Sequence, residues 1–243
     1  MRMKQQVGMA ATIACALTLS SCWSCLEGEG EITERSFELG STEEIELNVS
    51  ANVNYWLDPN SKSTKVVIRV EDNLHELIEV NQNKGELEIG TDGCVSSSEM
   101  SIDIISPALS ELSVNGSGDF ISKTPIKTEE MELTVSGSGN IVLEVDAVDL
   151  DLTINGSGNM NLKGEAVEMD VNINGSGDIE ASDLKTVETD IQINGSGDCN
   201  VYVKEKLEVE INGSGNVNYK WNPKKLEQEI NGSGDVVQLN QAI

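Results

Sequence analysis

Six copies of Asn-Gly-Ser-Gly, and a seventh that opens with Ser, divide the second half of this 243-residue chain into near-equal lengths. They begin at Asn115, Ser136, Asn155, Asn174, Asn194, Asn212 and Asn231, in steps of 21, 19, 19, 20, 18 and 19 residues. Asp or Asn follows each one, at Asp119, Asn140, Asn159, Asp178, Asp198, Asn216 and Asp235. A near-constant period of this size is the signature of a stacked, quasi-one-dimensional fold. The two glycines of each copy mark a turn where the backbone needs positive φ or runs close to a neighbour.

Residues before each turn alternate. Leu150, Leu152 and Ile154 are apolar, with Asp149, Asp151 and Thr153 between them, and Met169, Val171, Ile173 and Leu207, Val209, Ile211 repeat the pattern. Period two over this length is a half-buried strand. A second apolar run follows the turn, as in Ile141-Val142-Leu143 or Ile179-Glu180-Ala181, so each repeat supplies two or three short strands. In-register stacking sets equivalent residues about 4.8 Å apart in columns. One inward column reads Phe120, Ile141, Met160, Ile179, Cys199, Val217, Val236; another reads Val114, Val135, Ile154, Ile173, Ile193, Ile211, Ile230. The leading Asn of each turn predicts a ladder of side-chain amides along the stack. These features predict an all-β fold, a parallel β-helix with coils of about 19 residues. Antiparallel hairpins joined by Gly-rich loops are the alternative.

Two outward columns carry charge. Four residues before each turn stand Glu111, Glu132, Asp151, Asp170, Asp190, Glu208 and Glu227, and two positions earlier come Glu130, Asp149, Glu168 and Glu188, then Lys206 and Lys225. Like charges at this spacing repel by about 0.9 kcal/mol per pair in bulk water, before screening. Such a row reads either as a solvated face that opposes aggregation or as a collector of divalent cations or a cationic partner. Glu132, Asp151, Asp170, Asp190, Glu208 and Glu227 form the candidate cation ladder, with weak Ca2+ binding the only cofactor expected. A true calcium β-roll is excluded, because its nine-residue repeat is half the length of this one.

The first residues give an address. Arg2 and Lys4, an apolar run from Val7 to Leu19, and Leu19-Ser20-Ser21-Cys22 make a lipoprotein signal peptide over residues 1–21. By resemblance to bacterial lipoproteins, cleavage leaves Cys22 carrying diacylglycerol and an N-acyl chain such as palmitate, a stable anchor where one chain alone is marginal. The apolar run is too short to span a bilayer as a helix. Ser24, in place of Asp two residues after Cys22, favours the outer over the inner membrane by analogy with bacterial sorting. Residues 22–34 read as a flexible acidic tether, and residues 35–243 as one continuous β domain with repeat coils from about 111. The formal charge of −26 excludes a nucleic-acid partner, since the basic patch such binding requires is absent. Cys25, Cys94 and Cys199 remain after processing, without metal-ligand spacing. Cys199 falls in the apolar column as a core residue, while Cys25 and Cys94 are free to pair or not in an oxidising compartment.

Residues 32–110 lack the turn motif but keep alternating runs, including Ile45-Glu46-Leu47-Asn48-Val49 and Val66-Val67-Ile68-Arg69-Val70. Asp72–Leu77 predicts a single helical turn capped by Asp72 or Asn73, with His75, the only histidine, as an incidental surface residue. The strand, the Asp-Asn-Leu turn, the Lys-Gly-Glu-Leu-Glu-Ile hairpin and Ile-Ser-Pro-Ala-Leu-Ser-Glu-Leu-Ser-Val-Asn-Gly-Ser-Gly-Asp (105–119) together resemble the head-GIN domain. That family is described as auto-transporter adhesins and is common in lipoproteins of Gram-negative bacteria. The resemblance covers about residues 35–243, implies a right-handed β-helix, and brings no catalytic residues. Its adhesin label rests on architecture. The expected function is therefore a lipid-anchored, non-enzymatic adhesin or binding module of the cell envelope, presenting a rigid surface to an extended glycan or protein ligand. The alternatives are a structural envelope protein, and a polysaccharide-active enzyme, which the recurrence of acids by repeat position disfavours.

Overall fold

A computed structural model describes residues 25–239, which are predominantly strand. The signal segment, Cys22 and residues 240–243 lie outside the described residues. The first strands in chain order are β1 (Leu26–Glu27), β2 (Ile32–Leu39), β3 (Glu44–Asn48), β4 (Asn52–Leu57) and β5 (Thr64–Glu71). After a 3-10 helix at Asp72–Leu77 come β6 (Ile78–Asn83), β7 (Glu86–Thr91), β8 (Val95–Ser96) and β9 (Ser101–Ser106). The repeats supply β10 (Glu111–Val114), β11 (Phe120–Ser122), β12 (Ile126–Lys127), β13 (Glu130–Val135), β14 (Ile141–Asp146), β15 (Asp149–Gly156) and β16 (Met160–Glu165). They continue through β17 (Glu168–Gly175), β18 (Ile179–Gly195), β19 (Cys199–Gly213), β20 (Val217–Lys220), β21 (Lys225–Gly232) and β22 (Val236–Gln238).

Each repeat is one coil with two faces. Strands before the turn stack as β10, β13, β15, β17, the second halves of β18 and β19, then β21, and all these pairings are parallel. Strands after the turn stack as β11, β14, β16, the first halves of β18 and β19, β20 and β22, again parallel. The hairpin alternative is therefore excluded. Both predicted apolar columns pair residue for residue, Phe120 with Ile141 through to Val217 with Val236, and Val114 with Val135 through to Ile211 with Ile230. Their side chains are buried in one continuous core, apart from the partly buried Val236 and Ile230 of the last coil. Cys199 is a free thiol inside it, and burial raises its pKa.

The variation in repeat length is absorbed away from the turns. The pairing of β18 with its neighbours shifts register between Asn161 and Lys163 on one side, and at Ala181/Lys185 and Thr186/Glu188 on the other. These irregularities accommodate the 20- and 18-residue steps, so Asn174, Asn194 and Asn212 still pair in line. A β-bulge is the usual way to add a residue without flipping a strand's faces.

Two coils before the repeats extend the same sheet. β3 and β4 pair with β10 and β11, while β7 and β9 lie on the far side of β3 and β4. Spatial order thus differs from chain order: the coil at 44–57 sits between the coils at 86–106 and 111–122. Leaving β9, the chain crosses the coil it has already built. Tyr55 fixes this crossing, its hydroxyl lying 2.7 Å from Ser106 Oγ and 3.3 Å from the Ala108 carbonyl. Burial pushes its phenol pKa up to about 12. Antiparallel strands then close the end of the stack, β6 on β7, β5 on β9 and β2 on β5. Arg69 ties this cap together, donating to Glu34 at 3.0 Å and Asp103 at 2.6 Å.

Three sequence expectations need correction here. Residues 25–34 are docked rather than a free tether: Cys25 is disulfide-bonded to Cys94, β1 pairs with β8, and β2 begins at Ile32. Neither Asp72 nor Asn73 caps the 3-10 helix, whose N-cap is Glu71 without a side-chain cap bond. Asn73 instead accepts from Glu29 N–H and donates to the Glu27 carbonyl, at 2.8 and 2.9 Å, clamping the incoming chain. His75 is buried, with 4% of its surface exposed, and its Nε2 lies 3.0 Å from Thr33 Oγ1. The single-residue pattern around it carried no sign of the strand that covers it.

Candidate functional site

The face formed before the turns carries the charge. Glu132, Asp151, Asp170, Asp190, Glu208 and Glu227 pair in register on successive coils. The row continues beyond the repeats through Glu111 and Glu44 to Glu86. Glu44 and Glu86 escaped the sequence reading because their coils lack the turn that sets the register. The second column, Glu130, Asp149, Glu168 and Glu188, runs alongside and turns basic at Lys206 and Lys225. There Lys206 pairs with Glu208 at 3.0 Å and Lys225 with Glu227 at 2.9 Å, so repulsion is relieved at the last coils.

Between the columns lies an open groove of about 510 Å³, lined by Glu111, Glu130, Glu132, Asp149, Asp151, Glu168 and Asp170. Partial burial, followed by the charges of Glu132 and Glu44, raises the pKa of Glu111. Asp170 is raised by partial burial and then Asp151, and Asp190 by partial burial and then Glu208. The carboxylates stand in rows rather than converge. Among the described residues, no three of His, Cys, Asp or Glu are grouped closely enough to cage a metal ion. Chemically the face is a linear cation-exchange surface, able to attract cations or a basic partner without a fixed coordination geometry.

Beside it the turns carry two amide ladders. Asn174, Asn194, Asn212 and Asn231 each donate to the Asn one coil earlier, at 3.1–3.3 Å, and Asn155 accepts the first of these bonds. The expected ladder is present, interrupted at Ser136. A second ladder, not foreseen, uses the residue after each turn. The side-chain oxygens of Asn140, Asn159, Asp178, Asp198 and Asn216 accept the backbone N–H of the equivalent residue on the next coil, at 2.8–3.1 Å. An acceptor is all this position needs, and the occurrence of only Asp or Asn there was the available signal. Both rows fix the turns as a stiff edge between the two faces.

The profile of one protein family, described as "Putative auto-transporter adhesin, head GIN domain", matches residues 41–223. Similar crystal structures include a putative adhesin from Bacteroides fragilis, 23% identical with a TM-score of 0.83, the match covering 88% of this chain and 100% of that one. A putative lipid binding protein from Parabacteroides distasonis is 25% identical with a TM-score of 0.76, covering 89% of this chain and 100% of its own. A putative adhesin from Parabacteroides merdae is 24% identical with a TM-score of 0.71, covering 88% and 99%. Comparison with curated proteins finds no match.

Proposed function

Because the chain belongs to the head-GIN domain family of adhesin-like proteins, we propose that it is a lipid-anchored binding module of the outer membrane, holding an extended ligand along its coils. The observation that carries this reading is the register. One row of carboxylates runs through nine strands, from Glu86 to Glu227, on a single sheet. A rigid array of repeated side chains suits a long or repetitive partner, whereas a small substrate needs one enclosed site. The repetition of acids also argues against a singular acid–base pair. The Parabacteroides distasonis protein's lipid label is not carried over, because the large grooves here are open and polar.

Cys22 supplies the anchor in this reading, through its thioether-linked diacylglycerol and N-acyl chain. Attachment of wild-type cells to host and bacterial surfaces, compared with cells lacking the protein, tests the function. The proposal expects reduced attachment, restored by the wild-type chain but not by a soluble Cys22→Ala variant. Unchanged attachment on every surface favours the structural-envelope alternative.

A further inference from the structure

The opposite face ends in a different chemistry. Its outward columns pair Asn161 with Glu180, Asn200 and Asn218, and Tyr202 with Lys220. Next to Lys220, Trp221 has φ +73°, a left-handed conformation that non-glycine residues seldom adopt. Continued strand alternation would send this side chain into the core. The left-handed residue breaks the alternation, and the indole lies outside, stacked on Tyr202 with ring centroids 5.8 Å apart and planes 27° from parallel. Trp221 keeps 46% of its surface exposed, among the described large aromatic and aliphatic residues a value reached only by Leu26 and Val148 besides. Gln238 Nε2 holds the Trp221 carbonyl at 2.6 Å, so the turn is tied to the next strand.

A polar row borders the rings. Asn218 donates to Asn200 Oδ1 at 2.9 Å, and Asn200 donates to Glu180 Oε2 at 2.8 Å. Each amide is thereby oriented, and at the end of the row nearest Trp221, Asn218 Oδ1 receives no donor from the described residues. Asn218 and Lys220 stand two strand positions apart on the same face, about 6.7 Å along the sheet. Lys220 is neutralised by Asp183 at 3.3 Å. Pyranose rings present an apolar C–H face that stacks on indole or phenol, and equatorial hydroxyls that donate to fixed amide oxygens. An exposed, conformationally fixed aromatic shelf beside an oriented amide row matches both requirements.

We propose that Tyr202 and Trp221, with Asn218, form a binding site for a neutral glycan chain, one pyranose lying on the outer face of the indole. Net negative charge over the molecule disfavours anionic glycans, and the local lysine is already paired. This inference rests on the binding-module reading for its cellular meaning, and it adds a second site on the face opposite the acidic row.

The test titrates the full chain, held in a sugar-free detergent, with cellohexaose, maltohexaose and N-acetylchitohexaose, using calorimetry and saturation-transfer NMR. The proposal expects at least one probe to bind, with its ring C–H protons saturated. Trp221→Ala should weaken that binding about tenfold or more, as loss of an aromatic hot spot does, while Trp221→Phe stays within about threefold. Lys62→Ala, at an exposed bend of the head away from both faces' rows, should change nothing. Binding of no probe, or binding that survives Trp221→Ala, overturns the proposal. If glycan binding fails but cells still attach, only this site is wrong. If a probe binds but deletion leaves attachment unchanged, the adhesin reading fails instead.

Discussion

Gly175 and Gly177 do different work within one turn. Gly175 has φ +144°, a region that side chains avoid. Gly177 has no such φ, but a Cβ there would overlap the Gly158 carbonyl oxygen on the coil below and come within 2.9 Å of Ile154 Cγ2. Gly177→Ala should therefore destabilise by about 1–3 kcal/mol through overpacking, whereas Ser176→Ala should leave urea unfolding within about 0.5 kcal/mol of wild type. Equal effects would mean that the coils do not meet at this point. Charge at single residues also sets a pH response. Glu111, Asp170 and Asp190 have raised pKa values in the fold, so the native state holds their protons more tightly than the unfolded chain. Their contribution to stability falls as pH rises through those values and is recovered on acidification. Glu71 runs the other way. Ser97 Oγ at 2.6 Å, then the Ser98 hydroxyl and N–H at 2.6 and 3.0 Å, pull its carboxyl down to about 2. Its contribution is present above the ordinary glutamate range and lost as pH falls towards 2. Thermal melts should show a stability maximum in mild acid. Asp170→Asn with Asp190→Asn should flatten the neutral side, and Glu71→Gln the acid side.

At the scale of elements, the strands and their faces were legible because alternation and the turn period are local signals. Ile154 and Ile173 announce their column by spacing alone. The head was less legible. The coil at 86–106 stacks outside the coil at 44–57, and no residue in either carries a mark of that order; it is set by pairing across 30 or more residues. The Cys25–Cys94 disulfide is non-local in the same way. It closes a loop of 69 residues, and its removal by Cys94→Ser should cost about 2–5 kcal/mol, read as a lower denaturation midpoint that reducing agent reproduces in the wild type. The Tyr202–Trp221 pair did leave a trace, since the two residues lie one period apart, but the left-handed break that turns the indole outward has no sequence signature. The acidic row makes its own prediction. Without a preformed cage, Glu132, Asp151, Asp170, Asp190, Glu208 and Glu227 would hold Ca2+ at about millimolar Kd, as extracellular modules do. Millimolar calcium should raise the melting temperature beyond sodium chloride of equal ionic strength, and Asp151→Asn with Asp170→Asn should shrink that difference. Equal shifts by both salts would identify the row as a solvated face.

For the whole molecule, the architecture separates three tasks. The capped head closes one end of the sheet and, through Cys25–Cys94, takes up the chain arriving from Cys22. The stacked coils provide rigidity, and the two faces present unlike surfaces, one acidic and one edged with amides and aromatics. A binding function requires these faces to meet a ligand outside the cell, so whether the proposed lipid anchor presents the chain outward from the outer membrane decides the account. Protease added to intact cells measures it directly, with a periplasmic protein as the control for envelope integrity. The account predicts that the mature chain is cleaved, or shaved from the surface near residues 22–24, while the control remains whole. A chain that stays protected until the outer membrane is permeabilised faces the periplasm and contradicts it.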